Sequence, residues 1–266
     1  MKYLALALSL AASTWACRGT TTTPSATNGI IFMRGTVSDT AFRPLEGARV
    51  EILDGPQAGL SATTDVRGEF SFSGTFDDAT RFRATTDGHV TSIRTLEPFC
   101  MPCNPNWWIN FSLEVLAPPA NLAGEYTLTF VADSACATLP NDVRTRTYAA
   151  TIPATSNTYF GVRAGGATFY KDWNILDMGI AGDYVGFWLE TLVEQIAPNT
   201  FLSFGGLAAA SIGTTAMPTI VLPFSGEISY CVTKSETGRF EDCHQGLAAT
   251  RQQCTSNNHQ LILTRR

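Results

Sequence analysis

Asn121-Leu122-Ala123-Gly124-Glu125-Tyr126-Thr127-Leu128-Thr129-Phe130 decides the fold class of this chain. From Tyr126 onward apolar and polar residues alternate, which is the period of a strand buried on one face. Thr, Tyr and Phe also suit a pleated surface. Strand-like runs recur downstream at 145–152, 159–169, 175–189, 200–212, 219–232 and 260–264, the longer ones expected to contain bends. Turn signals separate them at Ala164-Gly165-Gly166, Ala181-Gly182-Asp183, Pro198-Asn199 and Ser225-Gly226. Many strands with short connections predict an antiparallel barrel or sandwich over residues 121–266. Ala117-Pro118-Pro119-Ala120 reads as a short stiff linker before it.

The same grammar extends upstream. Ile31 to Val37 has strand character, and Ala48-Arg49-Val50-Glu51-Ile52-Leu53 alternates as a half-buried strand should. Glu69-Phe70-Ser71-Phe72 places both phenylalanines on one face, and Arg81-Phe82-Arg83-Ala84-Thr85 repeats the pattern. Asp54-Gly55-Pro56, Asp65-Val66-Arg67-Gly68 and Asp87-Gly88-His89 are turns, with glycine where the backbone needs φ > 0. No long segment of period 3.6 with caps is found, so the whole chain reads as all-β.

Four groups of residues in this upstream part carry a resemblance. Gly35, Val37 and Asp39 give G-x-V-x-D, Pro44 to Glu51 give PLEGARVE, Thr64 to Phe70 give T-D-x-x-G-x-F, and Ala84 to His89 give A-x-x-D-G-H. In combination they resemble the carboxypeptidase regulatory-like domain over most of residues 29–116. That family implies a transthyretin-like sandwich of about seven strands, related to adhesin repeats and carbohydrate-binding-like folds, and a scaffold role without catalysis. Some adhesin relatives carry a Lys–Asn cross-link. The lysines of this chain are Lys2, Lys171 and Lys234, so residues 29–116 lack that chemistry. The acids Asp39, Glu46, Asp65, Asp77 and Asp78 are scattered through turns without the close alternation of a calcium loop. In the second part, Gly124-x-Tyr126 and the terminal Arg265-Arg266 faintly resemble the lipocalin-like arrangement, in which a late Arg covers the start of the first strand. A barrel of about eight strands can enclose one small apolar ligand or be filled by its own side chains. Phe160, Phe169, Tyr184, Phe187, Trp188, Phe201, Phe204 and Phe224 are expected to fill it.

The N-terminal end bears on compartment. Lys2, the apolar run Leu4 to Ala12 and the small residues before Cys17 read as a secretory signal over residues 1–16. The order of leader, small residue and cysteine resembles a bacterial lipoprotein signal, although Thr14 stands where that family prefers an aliphatic residue. The resemblance implies a lipid on Cys17. Residues 18–28, RGTTTTPSATN, are a polar tether that cannot pack a core. Cysteine arithmetic agrees: there are seven cysteines, and setting Cys17 aside leaves six that can pair.

Phe99-Cys100-Met101-Pro102-Cys103 is a Cys-x-x-Cys segment, which can be a redox motif, half a zinc site or a disulfide loop. No helix pattern follows to activate a thiol, and no second such pair exists to complete zinc. In an exported protein the disulfide Cys100–Cys103 is the expectation. Cys231 is expected to pair with Cys243, and Cys136 with Cys254, among the three connectivities that four cysteines allow. Trp107 and Trp108 follow the loop. Adjacent strand residues face opposite sides, so one should enter the core and the other can stay exposed and stack against a sugar.

The chain has 266 residues, with hydrophobic residues at 44%, charged residues at 15% and a net charge of −5. No basic stripe is present to neutralise phosphates, which argues against nucleic acid. No catalytic constellation stands out, and neither cofactor nor metal is implied. Ala209-Ala210-Ser211-Ile212-Gly213 approaches a nucleophile elbow but lacks the strand–turn–helix context. His244 and His259 read as loop residues near disulfides, and Glu190 and Glu194 as strand or loop residues. The sequence therefore predicts an exported, lipid-anchored binding protein of the bacterial envelope, taking a carbohydrate or a small apolar molecule. The alternatives are a structural adhesion protein and, further off, a hydrolase using Ser211.

Overall fold

The computed structural model describes residues 31–76, 79–95, 107–213 and 218–266. Cys17, Cys100, Cys103, the leader and the tether lie outside the described residues. Among those described the chain is all-β, fifteen strands with two short 3₁₀ turns and no α-helix.

The first seven strands form two sheets. One has the order β4 (Glu69–Gly74), β1 (Ile31–Asp39), β7 (Trp107–Leu113). The other runs β3 (Ser61–Thr63), β2 (Arg49–Ile52), β5 (Arg81–Thr85), β6 (Ser92–Thr95). Alternation sends Met33 and Val37 of β1, Phe70 and Phe72 of β4, and Ile109, Phe111 and Leu113 of β7 inward. They meet Val50, Ile52, Phe82 and Ala84 from the facing sheet in one core. Gly35 is required within it, since a Cβ there would collide with the Ile109 carbonyl and the Phe70 ring. The β1–β7 pair is parallel; the other pairs of the sandwich are antiparallel.

The last eight strands close into an up-and-down barrel, which settles the choice between barrel and sandwich. They are β8 (Gly124–Val131), β9 (Thr145–Ile152), β10 (Tyr159–Gly165), β11 (Phe169–Ala181), β12 (Tyr184–Ala197), β13 (Thr200–Ser211), β14 (Thr219–Thr233) and β15 (Ala248–Arg265). Each pairs with the next, and β15 returns to β8 with Arg265 opposite Tyr126. Arg265 donates to the Ala123 carbonyl at 2.9 Å, and its guanidinium occupies the space that a side chain on Gly124 would need.

The barrel interior is packed ring against ring. Phe130 lies 4.4 Å from Phe204, with Tyr148 and Phe224 around them. Phe187, Leu176, Leu189, Leu202 and Leu261 complete the core. Three of the aromatics expected to fill it point elsewhere: Phe201 belongs to a separate outer cluster, and Tyr184 and Trp188 face outward from β12 toward the sandwich. Alternation explains the difference: Val185, Phe187 and Leu189 take the inward positions of β12, and Leu202 and Phe204 those of β13. β15 is also far longer than the run at 260–264, because Arg251 to Ser256 pair with β14 through backbone although their side chains show no apolar pattern. His259 is consequently a buried strand residue rather than a loop residue.

The sandwich seats on the barrel through Thr40 to Arg43, just after β1. The buried Asp39 carboxylate fixes this knuckle, accepting from the backbone of Ala41 (2.9 Å) and Arg43 (3.0 Å) and from Arg43 Nε (2.9 Å). Thr40 Oγ1 donates to the Ile180 carbonyl at 2.6 Å. Phe42, at φ 66°, packs its ring on Tyr159 and Trp188, and the Arg43 guanidinium sits 4.8 Å from the Tyr184 ring centre.

Candidate functional site

The outer face of the β4-β1-β7 sheet is laid out by register. One row crosses it as Ser71, Arg34, Trp108, and the next as Glu69, Thr36, Asn110. Phe32, opposite Ser73, precedes them on β1. Period-two alternation puts these side chains on the face away from the sandwich core. Trp108 is 54% exposed and Phe32 55%. The Trp107 side chain lies outside what is described, so only Trp108 can be placed: it is on the open face.

Trp108 is not loose. Its Nε1 donates to Asn110 Oδ1 at 2.5 Å, which lays the indole along its own strand. Asn110 Oδ1 also accepts from Thr36 Oγ1 (2.8 Å) and the Thr36 backbone (3.2 Å). That orientation leaves Asn110 Nδ2 as a donor with no protein partner among the described residues. Arg34, between Ser71 and Trp108, has no ion-pair partner among the described residues either. The arrangement is a fixed aromatic ring bordered by an amide donor, hydroxyls and a guanidinium.

Other polar clusters satisfy themselves. Inside one end of the barrel, Glu194 accepts from Arg146 Nε (2.9 Å), from a second Arg146 nitrogen and from Tyr148 Oη (2.8 Å). Burial, and then the neighbouring carboxylate, push the Tyr148 hydroxyl well above its ordinary pKa, so it stays a donor. Sequence reading gives Glu194 as a strand or loop residue; it lies on β12, and the network is missed because its partners lie 46 and 48 residues away.

On the barrel exterior, Lys171, at φ 54°, lays its ammonium over Tyr170 (4.7 Å) and Trp173 (5.6 Å). The same ammonium donates to Glu241 at 2.7 Å, and Tyr170 donates to Glu241 at 2.6 Å. The Lys171 and Tyr170 hydrogen bonds hold the Glu241 carboxyl down to about 2. Glu241 belongs to the 3₁₀ turn Phe240–Cys243, which Cys231–Cys243 ties back to β14.

Cys136 and Cys254 form the second disulfide, with His259 beside them. The two sulfurs bond each other and so offer no thiolate to a metal. His259 accepts from the Asp133 backbone at Nδ1 (2.9 Å), stacks near Phe224, and is kept neutral by burial, which lowers its pKa. Ser211 lies at the exposed end of β13 and donates to Asp183 at 2.5 Å, across the β12–β13 pair. His244 ends the 3₁₀ turn against the Phe240 ring.

No family model matches the chain, and no curated protein matches it. Among solved structures, the chain is similar to a "putative membrane-associated protein of unknown function" from Bacteroides fragilis NCTC 9343. The two are 9% identical, the comparison covers 89% of this chain and 98% of that one, and the TM-score is 0.26. A likeness of that size carries no inference about fold or function.

Proposed function

We propose that the protein is an exported, lipid-anchored, non-catalytic binding protein of the bacterial envelope whose ligand is a carbohydrate. The observation that carries the reading is Trp108, open to solvent yet fixed through Asn110, on a sheet face where Ser71, Thr36 and Arg34 stand beside it. A pyranose offers an apolar C–H face for an indole and a rim of hydroxyls for hydrogen bonds. The platform supplies both kinds of partner in fixed positions, so little side-chain freedom is lost on binding. The packed barrel interior favours a surface carbohydrate over a small apolar molecule held inside. The leader, Cys17 and the polar tether support an anchored protein that holds this face away from the membrane.

A glycan array probed with the whole chain tests the binding. Trp108→Ala, at an exposed position, should leave the fold intact and weaken any glycan hit by more than about tenfold, the scale of a binding hot spot. No glycan hit, or hits indifferent to this substitution, overturns the reading. Intact mass of the membrane-extracted protein tests the anchor: a chain beginning at Cys17 without acyl groups overturns it.

A further inference from the structure

We infer that the platform selects sugars carrying a carboxylate, with Arg34 reading the acid group of a uronic acid stacked on Trp108. This deepens the carbohydrate reading above and rests on it.

The argument starts from strand register. Arg34 stands directly across from Trp108 on the neighbouring parallel strand and directly across from Ser71 on the other side. Strands lie about 4.8 Å apart, so the Arg34 backbone is about 5 Å from that of Trp108. A pyranose stacked on the indole therefore brings its ring substituents within reach of the guanidinium. Arg34 lies on the exposed face and is tied to no carboxylate among the described residues. By contrast, Arg43, Arg49, Arg81 and Arg83 of the same sandwich all engage Asp39, Glu51 or Asp54. Arg67 in its turn and Arg94 on β6 of the facing sheet have no ion-pair partner among the described residues either, but Arg34 is the arginine of the β4-β1-β7 sheet, and it stands beside the exposed tryptophan.

The acid on this face is Glu69, paired with Thr36 on β4. Its strand lies two strands from β7, about 10 Å away, so a sugar on Trp108 meets Arg34 first. The chemistry then favours an anion with two coplanar oxygens. A guanidinium presents parallel N–H donors that match a carboxylate bidentately. Asn110 Nδ2 and the Ser71 hydroxyl remain as donors to the sugar's hydroxyl oxygens, and Thr36 Oγ1, its own proton given to Asn110, can accept from one of them.

The experiment compares two ligands that differ at C6. Trigalacturonate and a galactose trimer of the same linkage are titrated calorimetrically into the full chain. The wild type should bind the acid roughly three- to tenfold more tightly, as expected for an exposed charge-assisted pair, and added salt should shrink the difference. Arg34→Gln should abolish the preference, bringing the affinity for the acid trimer down to that for the neutral one, while Trp108→Ala should weaken both. Equal affinity for the two trimers in the wild type, with binding still lost in Trp108→Ala, overturns acid selection and leaves the carbohydrate reading standing. Failure of both trimers to bind removes acid selection at this site. A preference that survives in Arg34→Gln overturns the role of Arg34, and tighter binding of a galactose-6-sulfate trimer overturns carboxylate as the ligand class.

Discussion

Gly179 of β11 and Gly186 of β12 stand directly opposite each other, and the backbone of Thr40 and Ala41 lies across the pair. A Cβ on Gly179 would overlap the Thr40 carbonyl oxygen, and one on Gly186 that of Ala41. The barrel therefore presents a side-chain-free notch, and the knuckle held by Asp39 fills it. Gly179→Val or Gly186→Val should push the knuckle out and cost about 1–3 kcal/mol, typical of inserting carbons into a packed site. Each core lies within its own strands, so strand content by circular dichroism should persist. Cleavage near Ala117–Ala120 by a broad protease should accelerate. Unchanged cleavage and unchanged thermal stability would refute the notch as the seat of the sandwich.

Glu194 is the acid of the barrel interior. Its side chain is almost fully covered, and both of its oxygens are engaged by Arg146 and Tyr148. Breaking a fully buried pair by removing one partner costs about 3–5 kcal/mol, but Arg146 retains some contact with water. Glu194→Ala should accordingly lower unfolding free energy by about 1–3 kcal/mol, read from urea titration. Glu194→Ala combined with Arg146→Met should recover part of the loss, since no uncompensated charge remains. A double variant weaker than the sum of the single variants would contradict this account.

The all-β character was legible because alternation at Tyr126–Phe130 and Phe70–Phe72 reports burial on one face, and the paired strands keep that phase. Arg265 meeting Gly124 could likewise be read as a late residue covering an early strand. Arg251–Ser256 could not be read as strand, since backbone pairing to β14 holds a stretch whose side chains carry no apolar signal. Phe187 and Trp188 are adjacent on β12 and cannot both face inward; the local pattern does not say which one does, because the partners that hold Trp188 and Tyr184 outside, Phe42 and Arg43, are over 140 residues away. The candidate site was half visible. Adjacent tryptophans announced one exposed ring, but only strand order reveals that Arg34 and Asn110 flank it.

Acid should release the outer clamp in a defined window. The Glu241 carboxyl is held at about 2 against an ordinary 4.5 by the Lys171 and Tyr170 hydrogen bonds. A depressed carboxyl binds fewer protons folded than unfolded, so its contribution is complete above pH 4.5 and fades as pH falls toward 2. The stability difference between the wild type and Glu241→Gln should be flat above pH 5 or so and shrink below it. Tryptophan emission from Trp173, which lies against Lys171 and Phe240, reports the same change locally. A difference that grows on acidification would refute the clamp.

Cys136–Cys254 fastens the β8–β9 connection to β15 across a sequence separation of 118, whereas Cys231–Cys243 spans 12. Cross-linking removes freedom from the unfolded chain, more for a longer loop: about 4.7 kcal/mol at 100 residues against about 3 kcal/mol at 15. The folded geometry around the long bridge has further support. Asp133 accepts from Ser256 Oγ (2.5 Å) and Asn258 Nδ2 (3.4 Å), and its backbone donates to His259. Cys136→Ala with Cys254→Ala should therefore keep the native circular dichroism while losing about 2–5 kcal/mol in denaturant. Removing Cys231 and Cys243 together should cost less globally, because the loop it closes is short and Lys171–Glu241 still holds the turn. The reverse ranking would refute the account in which loop length in the unfolded chain sets the worth of each bridge.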